Sequence, residues 1–206
     1  MRKVFISYHH DNDQRYKIYL SALGEENGCF VDGSVSVGDI DDDDRSSEAI
    51  RHLIRDRYLR DSEVTILLCG SKTHERKHID WELKSSMIDG KHNPRSGILV
   101  VNLPEAGSSW FTAGLAGERE AIYPDHSQGW QWIDSGSGFR YLYPLMPDRI
   151  IDNLVKAEAL LSVVPWKTIA ENAQALAWLV EQTARVGPKN DYDLTRPMRR
   201  QNSPTE

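Results

Sequence analysis

Apolar residues along this chain come in short runs set between polar stretches, and the runs alternate between two spacings. Lys3 to Tyr8 (Lys-Val-Phe-Ile-Ser-Tyr) is β-branched and aromatic, which predicts a buried first strand. A polar loop, His9 to Asp13, follows, and Ile18, Leu20 and Leu23 then predict a helix that Gly24 ends. Cys29-Phe30-Val31 reads as a short second strand and Gly33 to Asp44 as a loop. Ser46 and Ser47 are N-cap candidates for a helix carrying Ile50, Leu53, Ile54 and Tyr58 at spacings of three and four. Val64 to Cys69 is almost wholly apolar, the mark of a strand covered on both faces. A polar helix through Ile79, Trp81, Leu83 and Met87 leads to a strand over Ile98 to Asn102. Leu160 to Val164 predicts a last strand, and Thr168 with Glu171 forms a capping box for a closing helix with Ile169, Leu176 and Val180.

Alternating strands and helices at this spacing predict an α/β fold with a parallel sheet covered on both sides. Two stretches break the rhythm. Residues 104–143 are rich in Gly, Ser and Trp and lack periodicity, so they are expected to form an irregular insertion or lid before the last strand. Residues 187–206 are prolines and charges with little apolar surface, which predicts a flexible tail after a single domain over residues 1–186.

Composition narrows the class. With 39% hydrophobic and 27% charged residues, the chain sits among ordinary globular proteins. No apolar stretch reaches the length of a membrane span, and the run at the N-terminus is too short for a signal peptide, so a cytoplasmic protein with no membrane association is expected. The net charge of −6 disfavours nucleic acid as a partner. Cys29 and Cys69 lie in strand-like segments and are expected as buried free thiols.

Phosphate-binding motifs fail where the fold class invites them. Gly33 and Gly38 have the spacing of a P-loop, but Asp39 and Ile40 stand where lysine and a hydroxyl residue are required. No Gly-x-Gly-x-x-Gly follows the first strand, and the acidic run Asp39 to Asp44 lacks the turn glycine and last glutamate of a calcium loop. His74-Glu75-Arg76-Lys77-His78 matches the zinc motif His-Glu-x-x-His. Two cations between the imidazoles and a polar setting argue against a metal there, and the metzincin continuation is missing at Trp81 and Lys84.

Taken together, the opening strand Lys3 to Tyr8, the polar loop after it, the Asp-rich loop and the segment Ser71 to Leu83 ending in Asp80-Trp81-Glu82-Leu83 resemble a TIR domain. The nearest likeness is to the bacterial TIR-like group that includes the Thoeris antiphage sensors. Met146-Pro147-Asp148-Arg149, Val164-Pro165-Trp166 and the closing helix are similar to that group too, so the resemblance covers about residues 1–185.

That resemblance implies a flavodoxin-like sheet of about five parallel strands and an enzyme that cleaves the nicotinamide–ribose bond of NAD. NAD is the substrate, no separate cofactor is implied, and the product is a cyclic ADP-ribose signal read by a separate effector. It further implies a phage-derived activator and self-association. The family's glutamate falls on Glu82, where a carboxylate suits an oxocarbenium-like ribose. Phe5, Ser7, Tyr8, His9, Ser71 and Trp81 are the expected pocket residues, with Asp39 and Asp43 on a covering loop. Two other readings stay open: a non-enzymatic TIR interaction module, and a zinc hydrolase built on His74 and His78.

Overall fold

A computed structural model describes residues 1–34, 49, 52–90, 94–125 and 132–203. Five strands form one all-parallel sheet: β1 (Arg2–Ser7), β2 (Phe30–Asp32), β3 (Val64–Cys69), β4 (Gly97–Asn102) and β5 (Ser162–Pro165). Their order is β2-β1-β3-β4-β5. This is the flavodoxin-like order, in which the winding direction reverses between β1 and β3. The α/β expectation therefore holds, with each strand within two or three residues of its sequence pattern.

Alternation along the strands divides the core. Val4 and Ile6 of β1, Ile66 and Leu68 of β3 and Leu99 and Val101 of β4 pack with α1 (His10–Glu26) and, late in the chain, Leu176, Leu179 and Val180. Leu67, Cys69, Ile98 and Val100 face the other way, against Ile79 and Leu83 of α2 (Lys77–Ser86). Both cysteines are free and buried. α1 does not end at Gly24 but runs through it, and the glycine is required there because the Phe30 ring packs where a Cβ on residue 24 would stand.

Between β4 and β5 the described residues include a 3-10 turn (Pro104–Ala106) and the α-helices α3 (Glu118–Ile122), α4 (Gly136–Leu142) and α5 (Asp148–Val155). Two of the ties between this stretch and the sheet lie at β5. Thr112 pairs antiparallel with Val163 on the outer edge of β5. The wholly buried Glu118 accepts the Leu115 N–H and the Ser162 hydroxyl, and burial pushes its pKa up to about 7.

After β5 come α6 (Trp166–Ala170) and α7 (Ala173–Val186) rather than one closing helix. The cap is Asn172, whose side chain accepts the Ala175 N–H at 2.9 Å, and not the Thr168–Glu171 pair. The expectation of a flexible tail is also corrected. Through residue 203 the chain lies docked against α2 and α5: Tyr192 and Met198 are buried, and Arg196 pairs with Asp152 at 2.6 Å. A few well-placed apolar side chains and many backbone hydrogen bonds hold it, although its composition offers little apolar surface.

Candidate functional site

Ligands of doubly wound sheets bind outside the carboxyl ends of the strands, where the strand order reverses. Here that crevice lies beyond Ser7 on β1 and Gly70 after β3. Ser7 shares its face of β1 with Phe5, so its hydroxyl points towards α2, where it meets Glu82. Ser7 Oγ donates to Glu82 Oε2 at 2.6 Å, and the two residues are 1% and 6% exposed. Burial pushes the Glu82 pKa up to about 7, with the Ser7 hydrogen bond pulling weakly the other way. Among the described residues no lysine or arginine pairs with this carboxylate, although the chain carries 25 such residues.

The loop after β1 supplies two more groups. Tyr8 is half-buried, stacks on His10 with ring centroids 4.5 Å apart and donates to Gln14 at 2.7 Å. Its pKa is raised by burial first, and the Glu82 charge adds to the effect, which puts the phenol within electrostatic reach of the carboxylate. His9 is 7% exposed, and its Nδ1 has no hydrogen-bond partner among the described residues. Burial and the nearby Arg76 lower the His9 pKa, so the imidazole is neutral at pH 7. Ser71 is half-buried in the turn that follows β3.

The structure adds residues that the sequence pattern did not single out. Asp13, in the first turn of α1, is 2% exposed and lies against Gly70 so closely that a Cβ there would sit 2.6 Å from both carboxylate oxygens. Burial, followed by the charge of Glu105, pushes its pKa up to about 6. Thr73 Oγ1 accepts the Gly70 N–H at 2.8 Å. Asn102, the last residue of β4, is 3% exposed, and among the described residues its Nδ2 has no hydrogen-bond partner. An acid in the first turn of a helix reads as ordinary dipole compensation; the only available signal was its place between two strand ends.

A family model described as "Thoeris protein ThsB, TIR-like domain" matches residues 5–108. The match spans 104 of the 206 residues and contains Ser7, His9, Asp13, Gly70, Glu82 and Asn102. The chain belongs to the Thoeris ThsB TIR-like family. No curated protein matches it. Membership gives this TIR-like domain a role in antiphage defence. Among the described residues, no helix is long and apolar enough to cross a membrane.

Two other expected pocket residues of the TIR-like domain, Phe5 and Trp81, lie behind the Ser7–Glu82 pair, and two more fall outside the described residues. Phe5 and Trp81 are each 2% exposed and pack with Ile54, Leu59 and Met198, so they build the floor behind Ser7 and Glu82. Burial of both rings is what the apolar face of β1 demands of α2. The Trp81 indole N–H donates to the Arg199 carbonyl at 2.7 Å. Asp39 and Asp43 lie outside the described residues.

His74 and His78 fall on different elements, His74 in the 3-10 turn Thr73–Glu75 and His78 in α2, with Arg76 in extended backbone between them. The one-face geometry that makes His-Glu-x-x-His a zinc motif is therefore absent. Among the described residues no three His, Cys, Asp or Glu side chains group as a metal site. A cavity of about 100 Å³ beside α2 is lined by Arg76, Asp80, Arg149, Arg196 and Arg199, among others; Glu82 is not part of it.

Proposed function

We propose that this TIR-like domain cleaves the nicotinamide–ribose bond of NAD, with Glu82 as the catalytic carboxylate, and closes the ADP-ribose into a cyclic signal. The observation that carries this reading is the buried Glu82 carboxylate at the β1/β3 reversal, held by Ser7 and matched by no protein cation among the described residues. A lone carboxylate out of water is costly, and a positively charged ligand relieves the cost. The nicotinamide ring of NAD is such a ligand.

The chemistry follows from that charge. The C1′–N bond breaks, its electron pair leaves with neutral nicotinamide, and positive charge builds on the ribose ring. Ionised Glu82 stabilises that charge, and a low local dielectric strengthens the effect. Because the leaving group departs neutral, no general acid is required. Capture of C1′ by water gives ADP-ribose and a proton; capture by a nucleophile of the same ADP-ribose gives the cyclic product and a proton. Ser7 orients the carboxylate, while neutral His9 and Tyr8 line the approach. In this reading a separate effector detects the product and a phage-derived ligand triggers the reaction, with self-association of the domain accompanying activity.

The test is chromatography of NAD, nicotinamide and cyclic product from wild type and Glu82→Gln, each with and without phage-infected lysate. Turnover by wild type should fall on the order of a hundredfold or more in the variant. Equal turnover in a folded Glu82→Gln protein, or no NAD loss under any condition, would leave the interaction-module reading in its place.

A further inference from the structure

We propose that residues 190–203 are a strap that sets α2 against β1, so that Asp80, Arg149 and Met198 are positioning residues for the Glu82 carboxylate. The proposal rests on the catalytic reading of Glu82 for its consequence, though not for its geometry. The strap runs antiparallel to the helix and is bonded to it along most of its length. At the carboxyl-terminal turn, Lys84 Nζ donates to the carbonyls of Leu194 at 3.4 Å and Arg196 at 2.9 Å. In the middle, Asp80 Oδ2 accepts the Arg199 N–H at 2.9 Å, and Trp81, next to Glu82, donates to the Arg199 carbonyl. At the first turn, Asn202 Oδ1 accepts the Lys77 N–H at 2.9 Å, capping one of the amides that helix geometry leaves open. The Ser203 N–H reaches the Glu75 carbonyl at 3.0 Å.

Two side chains turn this set of bonds into a brace. Met198, 8% exposed, packs in one cluster with Phe5 and Trp81. Phe5 is two residues before Ser7 on the same strand face, and Trp81 directly precedes Glu82. Met198 thus shares one buried cluster with residues of both elements whose separation sets the Ser7–Glu82 hydrogen bond. Arg149, wholly buried at the start of α5, holds both Asp80 oxygens at 2.7 and 3.1 Å and also donates to the carbonyls of Arg196 at 3.2 Å and Pro197 at 3.0 Å. Removing the strap leaves those donors and a buried carboxylate partly unsatisfied, an arrangement that favours movement of α2 over retention. Reacting groups tolerate shifts of only about 0.5 Å, so modest movement of α2 is enough to matter.

Two proteins and one peptide test this. The chain ending after Lys189 is assayed alone and with a synthetic peptide of residues 190–206, and Met198→Ser is assayed in the full chain. With α2 released, maximum turnover should fall about tenfold or more with KM nearly unchanged. The acid limb of the pH–rate profile should also move to lower pH as water reaches Glu82, with Ser7 and Tyr8 the facing groups that remain. Peptide added to the shortened chain should restore both. A folded Met198→Ser protein with wild-type turnover and pH profile would overturn the proposal, as would a folded shortened chain that behaves as wild type without peptide. If the full chain consumes no NAD, the catalytic reading fails and the strap is read through stability. The pH-dependent difference in unfolding midpoint between Glu82 and Glu82→Gln should then shrink in the Met198→Ser background, and an unchanged difference would refute the strap.

Discussion

Replacing Glu82 with glutamine should stabilise this protein, and by an amount that depends on pH. The native carboxyl titrates near 7 instead of its ordinary 4.5 because burial disfavours its charge. Between those two values the folded chain binds more protons than the unfolded chain, so stability declines as pH rises through that window. Below about 4.5 both states are protonated and the residue costs nothing. Above about 7 the full cost applies: a rise of that size corresponds to about 3 kcal/mol. Glutamine keeps the shape and still accepts the Ser7 hydroxyl, but it never ionises. Relative to wild type, the Glu82→Gln midpoint should be level near pH 4.5 and roughly 6 to 12 °C higher at pH 8.5, from about 2 to 4 °C per kcal/mol for a chain of this size. Thermal unfolding of both proteins in a pH series measures it directly. Asp13 and Glu118 also titrate high, but both are present in each protein and cancel in the difference. A midpoint difference that stays flat from pH 4.5 to 8.5 would refute the claim that Glu82 is a buried, uncompensated charge. Because such strain belongs to the ionised form, the same experiment asks whether the site holds a charge that its ligand is left to neutralise.

Three further outcomes follow from the packing. Arg149→Ala leaves the buried Asp80 carboxylate without its guanidinium and should cost about 3 to 5 kcal/mol by chemical unfolding; a cost under 1 kcal/mol would contradict the buried pair. Gly70→Ala drives a methyl group into the Asp13 carboxylate and should cost roughly 1 to 3 kcal/mol, most of it recovered in Gly70→Ala with Asp13→Ala, so additivity of the two changes would rule out the contact. Purified protein should carry far less than one equivalent of zinc by elemental analysis, and stoichiometric zinc lost in His74→Ala with His78→Ala would restore the metalloenzyme reading.

The sheet was legible because parallel strands buried on both faces are mostly apolar, and Val64 to Cys69 and Ile98 to Asn102 are short runs rich in β-branched residues, too brief for helices. Glu82 becomes a candidate only through the resemblance to a family, since a glutamate in a polar helix reads by itself as a solvated one, and its burial against Ser7 is visible only in the fold. The docked chain after Gly187 was hidden for a different reason. Its anchors are single residues, Tyr192 and Met198, and most of its bonds involve backbone groups that composition does not register. Trp81 is expected in the pocket from its place beside Glu82, and the structure buries its ring in one cluster with Phe5 and Met198 and ties its N–H to Arg199, 118 positions away along the chain. Asp13 passed unnoticed because nothing in one sequence reveals that a glycine at the end of β3 leaves it room.

The strap also orders events during synthesis. Residues 80 and 199, which share a hydrogen bond, are separated by 119 positions. The first four strands and α2 leave the ribosome long before the residues that brace that helix, at about 5 to 20 residues per second. Contacts so distant along the chain form late, after the local ones that reward early collapse. A nascent or prematurely terminated product that stops short of Met198 carries Glu82 without its brace. In the proposed reaction, such a product should turn over about tenfold or more slowly until the bracing residues have been made.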